Sequence, residues 1–157
     1  MFYSLGICTP QPFKFISKDS RQGIEFQRVP GLSLLTMMTK NPLLIKKHSK
    51  TLATLHHHLH SHEAVDLRRK QKDVLIRNIQ AAPLLTEEEK SRIMKYIEEL
   101  PDDTKLCHGD FHPDNMMVGK DSWIIDWMTG TVGNPSGDSA RIVILLTYGP
   151  CPKELKK

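Results

Sequence analysis

Six side chains that could act together lie within one short span. They are His108, Asp110, His112, Asp114, Asn115 and Asp126, between Leu106 and Trp127. Apolar residues flank them on both sides. Met116, Met117 and Val118 predict one short strand, and Trp123, Ile124 and Ile125 a second, with the turn-rich Gly119-Lys120-Asp121-Ser122 between them. A β-hairpin brings its outer ends together. Asn115, at the start of one strand, and Asp126, at the end of the other, are therefore expected side by side, with Asp110 on the loop that feeds the hairpin. An amide oxygen and two carboxylates converging on one point are hard ligands of the kind magnesium takes. Magnesium held beside a spare carboxylate is a layout suited to phosphoryl transfer.

Other elements must hold this span in place. Residues 10–18 and 24–29 alternate like two short strands, joined by the polar Lys18-Asp19-Ser20-Arg21-Gln22-Gly23, and Val29-Pro30-Gly31 breaks the second. Asn41-Pro42 is a helix start, with Ile45, His48, Leu52, Leu55 and Leu59 forming one buried face of a helix that runs to about His62. A second helix is predicted over roughly 64–81, with Leu67, Val74, Leu75 and Ile79 inside, ended by Pro83. Thr86-Glu87-Glu88-Glu89 fits a capping box and opens a third helix to about Leu100, burying Ile93, Met94, Ile97 and Leu100. Lys105 to Cys107 reads as a strand into the polar span, and Thr129 to Pro135 as loop. Asp138 is placed to cap a last helix over 139–148, with Ile142, Val143, Leu145 and Leu146 inside. Gly149-Pro150 ends it, ahead of a basic tail.

Composition narrows the function classes. The chain has 157 residues, 39% of them hydrophobic, enough to bury one core. No apolar run reaches about 18 residues, so no membrane span is expected. The N-terminal residues show no basic segment ahead of an apolar one, hence no signal peptide. Cys8, Cys107 and Cys151 follow no disulfide or zinc spacing, which points to a reducing, cytoplasmic compartment. A net charge of +4, scattered along the chain, argues against a nucleic-acid partner.

His108-Gly109-Asp110-Phe111-His112-Pro113-Asp114-Asn115, followed by Ile125-Asp126-Trp127, resembles the catalytic segment of the aminoglycoside phosphotransferase and choline kinase family. That family is a small-molecule branch of the protein-kinase-like fold. Its pattern is His-x-Asp-x-x-x-x-Asn, then an apolar strand ending in Asp. The resemblance implies an α+β chain. Residues 1–31 would be a remnant of the nucleotide lobe and hinge. Residues 32–157 would be a mostly helical catalytic lobe, incomplete at its C-terminus. It implies a kinase that uses ATP and magnesium on a small-molecule hydroxyl, such as that of an aminoglycoside, choline or thiamine-like acceptor. Asp110 would accept the proton of the acceptor hydroxyl or orient that hydroxyl. Asn115 and Asp126 would hold magnesium. His108, His112 and Asp138 would order the catalytic loop, and Asp114 would face solvent. Gln27, Arg28, Val29 and Gly31 would fall at the hinge, where adenine docks on backbone groups.

The chain also departs from the family pattern. A glycine-containing strand-turn-strand, a strand lysine and its partner glutamate are not found ahead of residues 10–18, and Lys14 and Lys18 lie on the wrong strand to serve. Met128 stands where many members carry an acidic residue after Asp-Trp. The expectation is a fragment or truncated form with low turnover by itself, prone to self-association through exposed strand edges. Two other functions remain open at this level. One is a metallohydrolase built on His108, Asp110 and His112 with Asp126 and the histidines of 56–62. His56 and His60, or His58 and His62, are four apart and could share a helix face, although no acid or cysteine in that cluster completes a tetrahedral set. The other is a non-catalytic remnant of the kinase fold.

Overall fold

The expected central hairpin forms in the computed structural model, which describes residues 2–149. Its elements, in chain order, are β1 (Pro12–Lys18), β2 (Arg21–Phe26), β3 (Leu32–Ser33), α1 (Leu34–Lys40), α2 (Ile45–Leu59), α3 (Gln71–Gln80), α4 (Glu87–Glu99), β4 (Lys105–Cys107), β5 (Met116–Val118), β6 (Ser122–Ile124), β7 (Thr131–Gly133) and α5 (Pro135–Tyr148). The described residues form an α+β chain, as expected. They divide into two compact units. The first takes the chain up to His56 together with Phe111–Asp126, and the second takes His57–Asp110 and Trp127–Thr147.

In the first unit, β5 and β6 pair antiparallel, Met116 with Ile124, Met117 with Trp123 and Val118 with Ser122. β3 adds to the other edge of β5 through Leu32 and Ser33. This third strand and the helix behind it were not read from the sequence. The helix is nevertheless signalled locally: the Ser33 hydroxyl accepts from the Thr36 N–H and caps α1, which buries Leu34 and Met38. Gly31 makes the entry to β3 possible. Its φ is +118°, and a Cβ there would run into the Val118 carbonyl. On the other side of the sheet, the Ile124 N–H donates to the Cys8 carbonyl at 2.8 Å.

β1 and β2 form a separate antiparallel pair. Their turn is tighter than expected. Only Asp19 and Ser20, both at positive φ, lie between the strands, so residues 21–23 belong to β2. α2 starts after a 3₁₀ turn over Pro42–Leu44, and Asn41 makes no side-chain cap. Its buried positions are His48, Leu52, His56 and Leu59, a spacing of one helix face, while Ile45 is more exposed than expected.

In the second unit, β4 pairs antiparallel with β7, Leu106 opposite Val132 and Cys107 opposite Thr131. Residues 131–133 were expected to be loop; pairing with β4 makes them a strand. The second predicted helix is also shortened at its start, because residues 62–70 are drawn into this small sheet. The Ala64 N–H donates to Thr104 O, the Leu106 N–H to His62 O and the Val132 N–H to Arg69 O. The Cys107 thiol is fully buried here, and burial pushes its pKa up to about 12, so it stays protonated and inert.

α4 has the expected capping box: Thr86 Oγ1 accepts from the Glu89 N–H, and the Glu89 carboxylate accepts from the Thr86 N–H. The Thr86 backbone, then its hydroxyl, hold the Glu89 carboxyl below its usual range. The box therefore contributes above the ordinary glutamate pKa and is lost as pH falls through the lowered value. Replacing Thr86 with alanine is expected to cost about 1 kcal/mol. The effect is read as a lower urea midpoint at unchanged m-value. An unmoved midpoint would mean that the box is idle.

α5 begins at Pro135, earlier than expected, so Asp138 lies inside its first turn rather than ahead of it. Ile142 is buried, but Val143 and Leu146, expected inside, are exposed among the described residues.

Candidate functional site

The candidate residues fall into two groups, one in each unit. The chain passes from the second unit to the first between Asp110 and Phe111, and returns between Asp126 and Trp127.

In the first unit, the hairpin ladder continues past Met116 and Ile124 by one bond: the Ile125 N–H donates to the Asn115 carbonyl at 3.0 Å. Asn115 is thereby tied to the residue preceding Asp126. Asn115 is buried at the end of the 3₁₀ turn Pro113–Asn115, and Asp126 is exposed. Asp126 has φ +60°, a left-handed conformation that aspartate tolerates better than most residues. His112 orders the turn before Asn115, its Nδ1 accepting the Asp114 N–H at 3.2 Å. That bond takes up one of the ring nitrogens that a zinc site would use. Asp114 is exposed, as expected. An amide and a carboxylate at the hairpin mouth are oxygen donors that fit magnesium better than zinc.

In the second unit, the loop His108-Gly109-Asp110 is held by its backbone. Asp138 is almost fully buried, and its two carboxylate oxygens accept from successive amides: the His108 N–H at 2.8 Å and the Gly109 N–H at 2.7 Å. The oxygen bound to His108 also meets His60 Nε2 at 3.0 Å. The carbonyls of the same two residues are held as well. Thr129 Oγ1 donates to His108 O at 2.9 Å, and Arg141 Nε donates to Gly109 O. The Asp110 N–H donates to His108 Nδ1 at 3.3 Å, and the His108 ring lies 4.7 Å from that of Trp127. Gly109 has φ +76°, and a Cβ there would sit 2.6 Å from the Thr129 carbonyl.

Sequence reasoning missed His60, Thr129 and Arg141 as holders of this loop. Only Arg141 carried a signal, one helical turn beyond Asp138 on α5. His56, from the same histidine cluster, stacks on Phe111 in the first unit, with ring centroids 4.5 Å apart. His58 and His62 meet edge to face at the end of α2.

The residues expected at a hinge lie at the exit of β2. The Gln27 N–H donates to Gln11 O at 2.8 Å, so that amide extends the β1–β2 pairing.

Residues 2–154 match the model of the phosphotransferase enzyme family. No curated protein matches the chain. A solved structure similar to it is the crystal structure of aminoglycoside-3'-phosphotransferase of type VIII, at 18% identity and a TM-score of 0.57. The match covers 98% of this chain and 65% of that one, so the chain spans less than two thirds of that structure's length. At this identity the likeness concerns the fold. No helix among the described residues is long and apolar enough to cross a membrane.

Proposed function

Because the chain belongs to the phosphotransferase enzyme family, we propose that it moves the γ-phosphoryl group of ATP to the hydroxyl of a small-molecule acceptor. The family match over residues 2–154 carries this reading. Asn115 and Asp126 are the residues that would hold magnesium, and the Asn115–Ile125 bond at the hairpin mouth supports that assignment. When bound, the ion would neutralise charge on the phosphate oxygens.

The chain's own residues do the rest. Asp110 orients the acceptor hydroxyl and takes its proton as the new P–O bond forms and ADP leaves. His108, Gly109 and Asp138 fix the peptide that carries Asp110, so that its carboxylate is positioned before the acceptor arrives. His112 sets the turn that presents Asn115. Gln27, Arg28, Val29 and Gly31 are the residues we assign to the adenine side, within a nucleotide-lobe segment of residues 1–31 ahead of a catalytic lobe over 32–157. The acceptor is a small molecule of the aminoglycoside, choline or thiamine type, rather than nucleic acid or a membrane. A reducing, cytoplasmic setting is supported by the free thiols of Cys8 and Cys107.

The test is calorimetry with ATP, with and without magnesium, alongside transfer of labelled γ-phosphate to a panel of hydroxylated amines. Binding that depends on magnesium is the expected result. Asp110→Ala should leave that affinity within about threefold and lower any turnover by about 10²–10⁴-fold, because a base acts on the acceptor and not on the bound phosphates. Absence of magnesium-dependent ATP binding would overturn the proposal. So would unchanged turnover in Asp110→Ala.

A further inference from the structure

In the second unit, the segment between α2 and α3 is a strap around the stems of the Asp110 loop. At one edge of the β4–β7 pair, the Leu106 N–H donates to His62 O at 2.9 Å and the Ala64 N–H to Thr104 O at 2.8 Å. At the other edge, the Val132 N–H donates to Arg69 O at 2.9 Å, and Lys70 bridges to Val132 in parallel. The Arg69 guanidinium also donates to the Met128 carbonyl. The strap ends at Gln71, the first residue of α3, and there the hold passes from backbone to side chain. Gln71 Oε1 accepts the Asn134 N–H at 3.1 Å.

The surface that receives Gln71 leaves room for it. A Cβ at Gly133 would lie 2.4 Å from Gln71 Cβ, and one at Gly137 would lie 2.9 Å from Gln71 Oε1. Neither glycine is among those at positive φ, so space rather than backbone conformation calls for them. Asn134 stands between them at the start of α5. A helix leaves its first four amides without partners of their own. Here Pro135 has no N–H to satisfy. The Ser136 N–H donates to Asn134 Oδ1 at 2.9 Å, and the Gly137 N–H to Asn134 O at 3.0 Å. The Asn134 N–H needs an acceptor from outside the helix, and Gln71 supplies it.

We propose that Gln71 is a positioning residue for the loop that carries Asp110, acting through Asn134 and Asp138. Asn134 lies one helical turn before Asp138, whose carboxylate grips the His108 and Gly109 amides. Fixing the backbone at Asn134 therefore fixes the start of the helix that carries the grip, and with it the peptide ahead of Asp110. Side-chain placement of this kind matters to a reaction that depends on orientation. The inference rests on the proposed function only for what Asp110 does once it is placed. The hold on the loop is a property of the fold and is measured without any ligand.

Amide hydrogen exchange of the whole chain tests this. Gln71→Met keeps the length of the side chain and removes its acceptor. Exchange at His108 and Gly109 should then speed up at least about threefold, as loss of one hydrogen bond implies, with the α4 amides less affected. Gln71→Glu keeps an acceptor of the same reach, and a negative charge suits the start of α5, so it should restore the protection. Lys72→Met is the control on the same turn of α3. Lys72 Nζ donates to Glu98 O at 3.3 Å and so grips α4 instead, and its loss should leave His108 and Gly109 as they are. Turnover, under the proposed function, should fall by a similar factor in Gln71→Met, with KM for ATP within about twofold. A chain without magnesium-dependent ATP binding overturns the proposed function and leaves the exchange rates to decide the role of Gln71. An acceleration below threefold in Gln71→Met overturns the role itself. So does equal acceleration in Lys72→Met or across α4, or a failure of Gln71→Glu to restore protection.

Discussion

Replacing Asp126 with alanine is expected to lower the affinity for magnesium–ATP by at least about 100-fold, or roughly 2.7 kcal/mol. Under the proposed function, Asp126 brings the one full negative charge at the hairpin mouth, beside the neutral Asn115. No other carboxylate of the hairpin can substitute. Asp121 sits at the closed end of the ladder, beyond the Val118–Ser122 pair, and Asp114, inside the 3₁₀ turn Pro113–Asn115, is exposed to solvent. Alanine also has to adopt φ +60°, which favours other residues, so backbone strain must be separated from lost charge. Asp126→Asn does that, because asparagine accepts the left-handed conformation but offers only a neutral amide. Both variants should lose binding. His58→Ala, at the exposed end of α2, should not. Calorimetry showing affinity within threefold of wild type for both Asp126 variants would sink the metal assignment. Loss in the histidine variant alone would favour an imidazole-based metal site.

Asp138→Ala should be the most destabilising substitution among the loop-holding residues, at about 3–5 kcal/mol. The side chain is 1% exposed and accepts both the His108 and Gly109 N–H groups, besides meeting His60. Truncation leaves those two backbone donors without their acceptor. Each such loss costs about 1–3 kcal/mol. Against a total stability of about 5–15 kcal/mol, the change is large. Asp138→Asn is informative because its shape is kept. Its oxygen can serve one of the two amides, but its NH₂ then faces the other donor, so it should still lose more than about 1 kcal/mol. Urea unfolding measures both values. Amide exchange should show faster opening at residues 108–110 than elsewhere in the second unit. A midpoint shift in Asp138→Ala equivalent to less than 1 kcal/mol would mean that the loop is held some other way.

The parts legible in the sequence were those written in neighbouring residues. The hairpin announced itself by two short apolar runs around Gly119-Lys120-Asp121, and the meeting of Asn115 with the residue before Asp126 follows from hairpin geometry alone. The Thr86–Glu89 box set the start of α4 in the same way. Tertiary structure decided what depends on distant partners. Residues 131–133 end in a loop-like glycine, Gly133, and become β7 only because β4 supplies a ladder some 26 positions earlier in the chain. Residues 64–70 have helical spacing but are bonded to residues 104 and 132 instead. Asp138 looks like a helix cap in sequence, yet its oxygens are taken by amides 30 and 29 positions back. Alternation in residues 12–26 specifies a strand pair with one aromatic face. Whether anything covers that face is not a local property, since burial depends on which other elements reach it, and among the described residues none does.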